Sequence, residues 1–210
     1  AETAAASLDG VRAVPADTAE TFDIICLAVP ISAVSDAVER YAPRAERAMC
    51  DVSGVMEGPV EAMRAALPDR ERLSMHPLFA ASNAPGNVAV VADAPGPATD
   101  AIRADVAAAG NHPFETTVAE HDTAMETVQA GAHTAVLAYA IAAADVREEF
   151  ATPVSATMDD LVETVTGGTP RVYREIQETF EGAERVAEAA RRVADAEGEA
   201  FDDLYHEARG

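Results

Sequence analysis

The sequence predicts an α/β domain with a mostly parallel sheet, followed by an all-α C-terminal domain. Up to residue 118, short apolar runs alternate with helical patterns, which is typical of strands joined by crossover helices. From residue 119 onward the periodic segments are helical, and the first of them, residues 120–144, is alanine-rich and interrupted only by Gly131. We therefore predict two domains, residues 1–118 and residues 119–210.

The first domain contains several predicted strands. Residues 22–29 form a continuous apolar run, which is typical of a strand covered on both faces in a parallel sheet. Shorter runs predict further strands at residues 11–14, 48–52, 73–75, 87–92 and 114–118. The helices predicted between them cover residues 31–41, 59–67 and 99–109, with the end of a helix at 1–8 and a helical turn at 17–21.

The second domain contains four predicted helices. After residues 120–144, Pro153 interrupts the chain, and helices follow at residues 158–166, 170–180 and 184–208. The last helix has only a narrow apolar stripe, which packs either on its own domain or on a second subunit. Because this domain has few large apolar residues, a dimer that shares the core is one interpretation, and packing within the chain is the other.

The composition is strongly acidic. There are 37 acidic residues against 15 basic ones, all of them Arg, and the net charge is −22. A hydrophobic content of 49% indicates a folded protein, so we interpret the acidity as adaptation to a high-salt cytoplasm, where surface charge is screened. Such a surface argues against nucleic acid and anionic membranes as partners, and an acidic protein with a basic partner is the alternative.

No apolar run reaches the length of a membrane-spanning helix, and no signal peptide is visible, so we predict a soluble, cytoplasmic protein. Cys26 and Cys50 lie inside apolar runs, which favours two buried small side chains over a disulfide or a metal pair. Nothing in the sequence resembles a zinc or calcium site, so no metal is expected.

Three consecutive predicted strands end in residues suited to a binding site. Their carboxyl ends carry Ala28-Val29-Pro30, Ser53-Gly54 and His76-Pro77. Each segment alone fits an ordinary turn, but ligands of α/β sheets bind beyond the carboxyl ends of the strands, where these residues are expected to meet. In the long helix, Gln129 and His133 lie one turn apart and point in the same direction.

Five blocks of the sequence match the pattern of one known family. The most specific block is His121-Asp122-x-x-Met125-x-x-Val128-Gln129-x-x-x-His133 in the long helix. The other blocks are Leu27-Ala-Val-Pro30, Asp51-x-x-x-Val55 followed by Gly58-Pro59, His76-Pro77-Leu78-Phe79, and Pro170-x-x-Tyr173-Arg174-Glu175-Ile176. By these blocks the sequence resembles the prephenate dehydrogenase family. The resemblance covers nearly the whole chain and implies a Rossmann-like fold, truncated at its N-terminus, followed by an all-α dimerisation domain.

The resemblance also implies an activity. Members of the family use NAD or NADP to oxidise and decarboxylate prephenate, or arogenate in some cases, on the way to tyrosine. His76 matches the catalytic histidine, and a neutral imidazole suits this role because it accepts the hydrogen bond of the substrate hydroxyl. The partners implied are a small-molecule substrate and a second copy of the chain, joined through the helical domain.

Further site residues are implied in the same way. His133 matches a histidine on the carboxylate side of the substrate, and Tyr173 matches an aromatic residue that lines the pocket. The remaining expected substrate contacts are Gln129 and Ser53, and the expected cofactor contacts are Ala28, Val29, Pro30 and Gly54. His121 and Asp122 form either a hydrogen-bonded pair at the start of the helix or a contact with the substrate.

The sequence departs from the family pattern at several positions. It contains no G-x-G-x-x-G turn, which holds the pyrophosphate of a dinucleotide, so it is interpreted as a fragment or as a protein that holds the dinucleotide differently. Gly54-Val55-Met56 stands in place of Ser-Val-Lys, Ala80 in place of a glycine, and Thr164 in place of an Arg that pairs with the substrate carboxylate. The alternatives are a related dehydrogenase with another substrate and a non-catalytic dimeric protein that binds an aromatic acid.

Overall fold

The computed structural model describes residues 10–209, so the helix end predicted at residues 1–8 lies outside the described residues. The central sheet has five strands, and their spatial order follows the chain. The strands are β1 (Phe22–Leu27), β2 (Ala45–Asp51), β3 (Glu71–Pro77), β4 (Asn87–Ala94) and β5 (His112–Glu115). Three of the four neighbouring pairs are parallel, as predicted, and the pair β3–β4 is antiparallel.

The connection between β3 and β4 explains the antiparallel pair. A parallel pair needs a crossover of a dozen or more residues, usually a helix. Residues 78–86 contain a single 3₁₀ turn, Ala81–Asn83, and the chain returns beside β3 with the amide of Leu78 donating to the carbonyl of Asn87 at 2.9 Å.

Three helices pack against the sheet and complete its core. They are α1 (Val34–Tyr41), which follows a 3₁₀ turn at Ile31–Ala33, α2 (Glu57–Ala66) and α3 (Pro97–Ala108). Proline in the first turn of α2 and α3 fits the backbone there, where amide hydrogens lack helical partners. Met49, Met63, Leu73 and Val90 have no exposed surface, so the apolar runs of the sequence form a dry core.

Three expectations for the first domain are wrong. Residues 11–14 run as irregular backbone and residues 16–17 form a turn, because Pro15 removes an amide donor and Arg12 pairs with Glu20 instead. Cys26 is exposed, because β1 is an edge strand of the described sheet, whereas its register partner Cys50 is buried.

The helical region begins with one continuous helical segment, which confirms the long helix predicted at residues 120–144. It consists of α4 (Val118–Met125), a π-helical turn (Glu126–Gly131) and α5 (Ala132–Ala142). Gly182 packs directly on the π-helical turn, where an added Cβ would overlap the carbonyl oxygen of Glu126. Single π-helical turns inside α-helices occur frequently at functional sites.

Four further helices follow among the described residues. They are α6 (Pro153–Thr166), α7 (Pro170–Thr179), α8 (Gly182–Asp195) and α9 (Glu199–Glu207). The single helix predicted at residues 184–208 is wrong, because Gly198 takes a positive φ of 54° and separates α8 from α9. Ile176 and Phe180 enter the same apolar cluster as Leu27 and Val38, so the helical region packs on the α/β layer. Within residues 10–209, no helix has the length and apolar content needed to span a bilayer.

Candidate active site

His76 occupies the centre of the site, at the carboxyl end of β3. Its side chain is buried, with 7% of the residue exposed. Gly54, which follows β2, has a positive φ of 90°, and a Cβ at this position would lie 3.2 Å from Nε2 of His76. The ends of β2 and β3 therefore lie side by side, and the absence of a side chain at Gly54 allows the imidazole of His76 to pack closely against it.

His121 of α4 lies behind His76 and continues its hydrogen bonding. Nδ1 of His76 is 2.9 Å from Nε2 of His121, and Nδ1 of His121 is 2.6 Å from Oδ1 of Asp122. Asp122 also accepts hydrogen bonds from the backbone amides of Met56 and Glu57, at 3.2 and 3.1 Å, where α2 begins. A carboxylate at the N-terminus of a helix is stabilised in its charged form. His121 and Asp122 were predicted as either a hydrogen-bonded pair at the start of the helix or a contact with the substrate. They form the hydrogen-bonded pair, and His121 also contacts His76, the predicted catalytic residue.

Gln129, in the π-helical turn, contacts the other side of the imidazole. Its Nε2 lies 3.3 Å from Nε2 of His76. An amide nitrogen only donates, so this contact requires a bare acceptor nitrogen at Nε2 and a proton at Nδ1 of His76. The Oε1 atom of Gln129 is buried and has no hydrogen-bond partner among the described residues.

Burial keeps His76 neutral. It lowers the pKa of His76 to about 4, with a smaller lowering because His76 and His121 would repel each other as cations, and a partial offset from Asp122. Burial lowers the pKa of the His133 imidazole as well. At neutral pH both imidazoles are therefore available as uncharged hydrogen-bonding groups.

His133 and Tyr173 form a second part of the site, where α5 faces α7. Their ring centroids are 4.8 Å apart and the rings meet edge to face at 71°. Nδ1 of His133 is buried without a hydrogen-bond partner among the described residues. Buried polar atoms are nearly always paired, so this nitrogen and Oε1 of Gln129 indicate a place for a polar ligand.

Ser53 has a partner of its own at the end of β2. Its hydroxyl and its backbone amide donate to Oδ2 of Asp51 at 2.6 and 3.0 Å. Asp51 is fully buried, its Oδ1 has no partner in the described part of the chain, and burial raises its pKa. The structure therefore directs the Ser53 hydroxyl towards Asp51, and a contact between Ser53 and substrate stays a prediction.

The loop Ala28-Val29-Pro30 is held in place from the helical region. It leads from β1 into the turn Ile31–Ala33, whose first amide, on Ile31, donates to Glu175 Oε2 at 3.0 Å. The hydroxyl of Ser32 donates to Glu175 Oε1 at 2.9 Å. Glu175 belongs to α7 and is buried, so this one carboxylate joins the two parts of the protein at the predicted cofactor loop.

Comparison with known proteins identifies the family. Residues 2–93 match a family model described as "Prephenate dehydrogenase, nucleotide-binding domain". The 4-amino-4-deoxyprephenate dehydrogenase of Streptomyces pristinaespiralis is 30% identical over an alignment 236 residues long, which covers 98% of this chain and 79% of the relative. The chain belongs to the prephenate/arogenate dehydrogenase family. This confirms the predicted membership of the prephenate dehydrogenase family and the oxidoreductase class.

Solved structures of the family share the fold. The prephenate dehydrogenase of Aquifex aeolicus, in complex with hydroxyphenyl propionate and NAD+, matches with a TM-score of 0.64 at 15% identity, over 89% of this chain and 74% of that one. The arogenate dehydrogenase of Synechocystis matches with a TM-score of 0.59 at 16% identity, over 90% and 78% of the two chains. The predicted Rossmann-like layer followed by a helical region is confirmed.

The family match supports NAD or NADP as the cofactor. The loop Ala28-Val29-Pro30 follows β1, and Gly54 follows β2 in close contact with His76, so these residues stay the predicted contacts of the nicotinamide end. For the pyrophosphate end, the sequence offers no G-x-G-x-x-G turn, so only the nicotinamide half is matched by residues described here.

Three residues with a place in this site received no firm role from the sequence. His121 and Asp122 were assigned two alternative roles, and Glu175 was only part of a matching block. Adjacent His and Asp residues at a helix start do not reveal an imidazole 45 positions earlier in the chain. Only the arrangement of α4 beside β3 brings them together.

Proposed function

We propose that this protein catalyses the NAD- or NADP-dependent oxidative decarboxylation of prephenate to 4-hydroxyphenylpyruvate, a step of tyrosine biosynthesis. One feature supports this most directly: a buried, neutral His76 at the carboxyl end of β3, whose Nε2 is a bare acceptor nitrogen. A bound nicotinamide would supply the hydride acceptor for the ring carbon that carries the hydroxyl, and the ring carboxylate would leave as carbon dioxide. Nε2 of His76 accepts the proton of that hydroxyl in the same step.

The other predicted residues would bind and orient the substrate. Nδ1 of His133 offers a hydrogen bond to a substrate carboxylate, and the ring of Tyr173 forms an aromatic wall beside it. The amide nitrogen of Gln129 donates a hydrogen bond to Nε2 of His76 until the substrate binds. Its Oε1, which has no partner among the described residues, offers an acceptor close to the reacting hydroxyl. Gly54 and the loop Ala28-Val29-Pro30 would hold the nicotinamide and its ribose.

The carboxylate partner differs from the one implied by the resemblance. Thr164 is exposed, and its hydroxyl donates to the carbonyl of Asp160 at 2.9 Å, within its own helix. A bidentate partner at this position is therefore lost. We assign the recognition of the substrate carboxylate to His133 within this chain.

A second candidate substrate is the 4-amino analogue of prephenate, on which the relative from Streptomyces pristinaespiralis acts by its name. An amino group offers two N–H bonds where a hydroxyl offers one O–H bond. The site has two acceptors near each other, Nε2 of His76 and Oε1 of Gln129, which suits an amine. Arogenate is the third substrate to test, since it keeps the hydroxyl of prephenate.

The assay should separate these substrates from a binding-only protein. The protein, expressed from its full reading frame and kept in concentrated salt, is mixed with prephenate, arogenate or 4-amino-4-deoxyprephenate and either NAD or NADP, and reduced nicotinamide is followed by absorbance. We expect turnover with one of these substrates and its loss in His76→Asn. His112→Asn, at an exposed histidine of β5, is the matched control. Binding of the substrate without turnover, with either cofactor, would support the non-catalytic alternative.

We further propose that the protein is a homodimer joined through its helical domain, residues 119–210. The apolar side chains of Ile141, Val146, Phe150 and Val154 are exposed, and a second subunit would cover them. Sedimentation at several protein concentrations tests this, with Phe150→Ser expected to favour the monomer. A monomer of the unsubstituted protein at micromolar concentration would contradict it.

The acidic surface suggests a cytoplasm rich in salt as the working environment. A net charge of −22 causes self-repulsion that added salt screens. We expect the free energy of unfolding to rise with potassium chloride concentration. A protein that is most stable in dilute buffer would argue for an acidic protein with a basic partner.

A further inference from the structure

The hydrogen-bond chain that begins at His76 has a fixed direction. At the far end, the Asp122 carboxylate only accepts, so His121 must carry its proton at Nδ1, 2.6 Å from Oδ1. His121 then presents a bare Nε2 to His76, which carries its own proton at Nδ1, 2.9 Å away. At the near end, the Gln129 amide donates to Nε2 of His76 and requires the same tautomer. Both ends therefore specify one arrangement of protons.

We propose that His121 is a positioning residue that also receives the proton: it holds His76 in the acceptor tautomer and takes the Nδ1 proton of His76 during turnover. This inference rests on the proposed function of His76 as the proton acceptor of the reaction. The assignment concerns two residues, His121 and Asp122, that are not expected to touch the substrate.

The proton transfer balances within the chain. The substrate O–H bond breaks as an N–H bond forms at Nε2 of His76. The N–H bond at Nδ1 of His76 then breaks as one forms at Nε2 of His121. His76 is neutral again with the opposite tautomer, and the positive charge lies on His121, whose Nδ1 proton remains hydrogen-bonded to Asp122.

The two imidazoles differ in their direct contacts. Both are buried, but His76 contacts only His121 and Gln129 and has no carboxylate in direct contact. His121 has Asp122 in direct contact, and the buried carboxylate of Asp51 is close enough for the two charges to interact. Asp122 in turn is held by the amides of Met56 and Glu57 at the start of α2, so its charge is stabilised.

The variant His121→Gln separates proton transfer from positioning. A glutamine oxygen can accept the hydrogen bond from Nδ1 of His76, but it cannot hold the proton. We expect kcat to fall by at least about tenfold, and by no more than the roughly 10²–10⁴-fold that positioned proton transfer contributes, while KM for the substrate stays unchanged. His112→Gln, at the exposed histidine of β5, should leave both constants unchanged.

A second variant and a second measurement keep the test independent of folding and of substrate choice. Asp122→Asn keeps one acceptor oxygen for the start of α2 and removes the charge, so it should lower kcat in the same way. Imidazole ¹⁵N NMR of the unsubstituted protein should show both His76 and His121 protonated at Nδ1. Full kcat in folded His121→Gln, or a proton on Nε2 of His121 in the resting protein, would overturn the relay. The NMR result would overturn the relay even if no tested substrate is turned over. If the unsubstituted protein shows the expected tautomers but turns over none of the substrates, only the proposed function is contradicted.

Discussion

The α/β layer and the helical region differ in how completely they cover their apolar side chains. Large side chains of the sheet and its helices, such as Met49 and Leu73, have no exposed surface, whereas Ile141 at the end of α5 is 86% exposed. The two parts meet at His76, where an imidazole from the covered layer contacts His121 from the first helix of the other part. The difference indicates a densely packed layer that holds His76 and a helical region that leaves large apolar side chains exposed.

The largest effect is expected from a cavity in the covered layer. Leu73→Ala should lower the free energy of unfolding by about 2–5 kcal/mol, because the buried side chain leaves a space that its neighbours cannot fill. Ile141→Ala is the comparison and should change it by less than about 0.5 kcal/mol in the monomer. Urea unfolding at one low protein concentration measures both, and equal losses would contradict the proposed difference between the two regions.

The second effect is a dependence of stability on pH. The pKa of His76 is lowered to about 4 in the folded protein, so between about pH 6.5 and 4 the unfolded chain binds more protons at this residue. The free energy of unfolding therefore decreases as the pH is lowered through this window, by up to about 3 kcal/mol from a pKa lowered by roughly 2.5. In His76→Asn this contribution should disappear. Urea unfolding at a series of pH values checks it, and parallel pH curves for the two proteins would show that His76 is not buried neutral.

A third test concerns the contact between β2 and β3. Gly54→Ala should cost about 1–2 kcal/mol for the positive φ, and its Cβ at 3.2 Å should in addition displace His76 and lower kcat/KM. Gly10→Ala is the matched control, since Gly10 has a positive φ of 76° and no described atom within 4 Å of the added Cβ. Thermal melting and steady-state kinetics compare them. Equal kcat/KM in both variants would mean that Gly54 matters only for the backbone.

The smallest effect is expected where the two regions are joined. Glu175→Gln weakens the hydrogen bonds from Ile31 and Ser32, so the loop before them should loosen and KM for the cofactor should rise about threefold to tenfold, equivalent to roughly 1 kcal/mol of a charged hydrogen bond. Glu178→Gln, one turn away and exposed, serves as the control because it pairs only loosely with Arg174 at 3.8 Å. If only KM for the substrate rises, Glu175 does not support the loop that is predicted to contact the cofactor.

Much of the layer could be predicted because its strands are continuous apolar runs and its helices are bounded by proline or glycine. His76 was placed correctly at a strand end for this reason. The direction of β4 could not be taken from its own residues, since parallel and antiparallel strands have the same apolar pattern. The missing helix between residues 78 and 86 was the available signal, because a parallel crossover needs one.

The site was predictable only in part. The sequence placed Gln129 and His133 correctly in one continuous helical segment. The π-helical turn at Gln129 changes the helical spacing, so their common direction stays a prediction, and the contact between His76 and His121 depends on tertiary packing over 45 positions. The role of Glu175 is hidden for the same reason, since its partners lie 144 and 143 positions earlier. Local patterns determine which residues share an element, but not which elements become neighbours.

The shortness of β5 has a geometric consequence for the two imidazoles. This strand has four residues and ends at Glu115, which pairs with Val90, and Val90 in turn pairs with Met75. His76 pairs with Ala89 and Ala89 with Phe114, so α4 begins four residues beyond the level of His76. Each additional residue in β5 would shift the start of α4 by about 3.3 Å along the sheet. An insertion of two residues would leave each side chain of β5 on the same face of the sheet, but it would still separate His121 from His76. The length of this edge strand therefore sets the distance between the two rings.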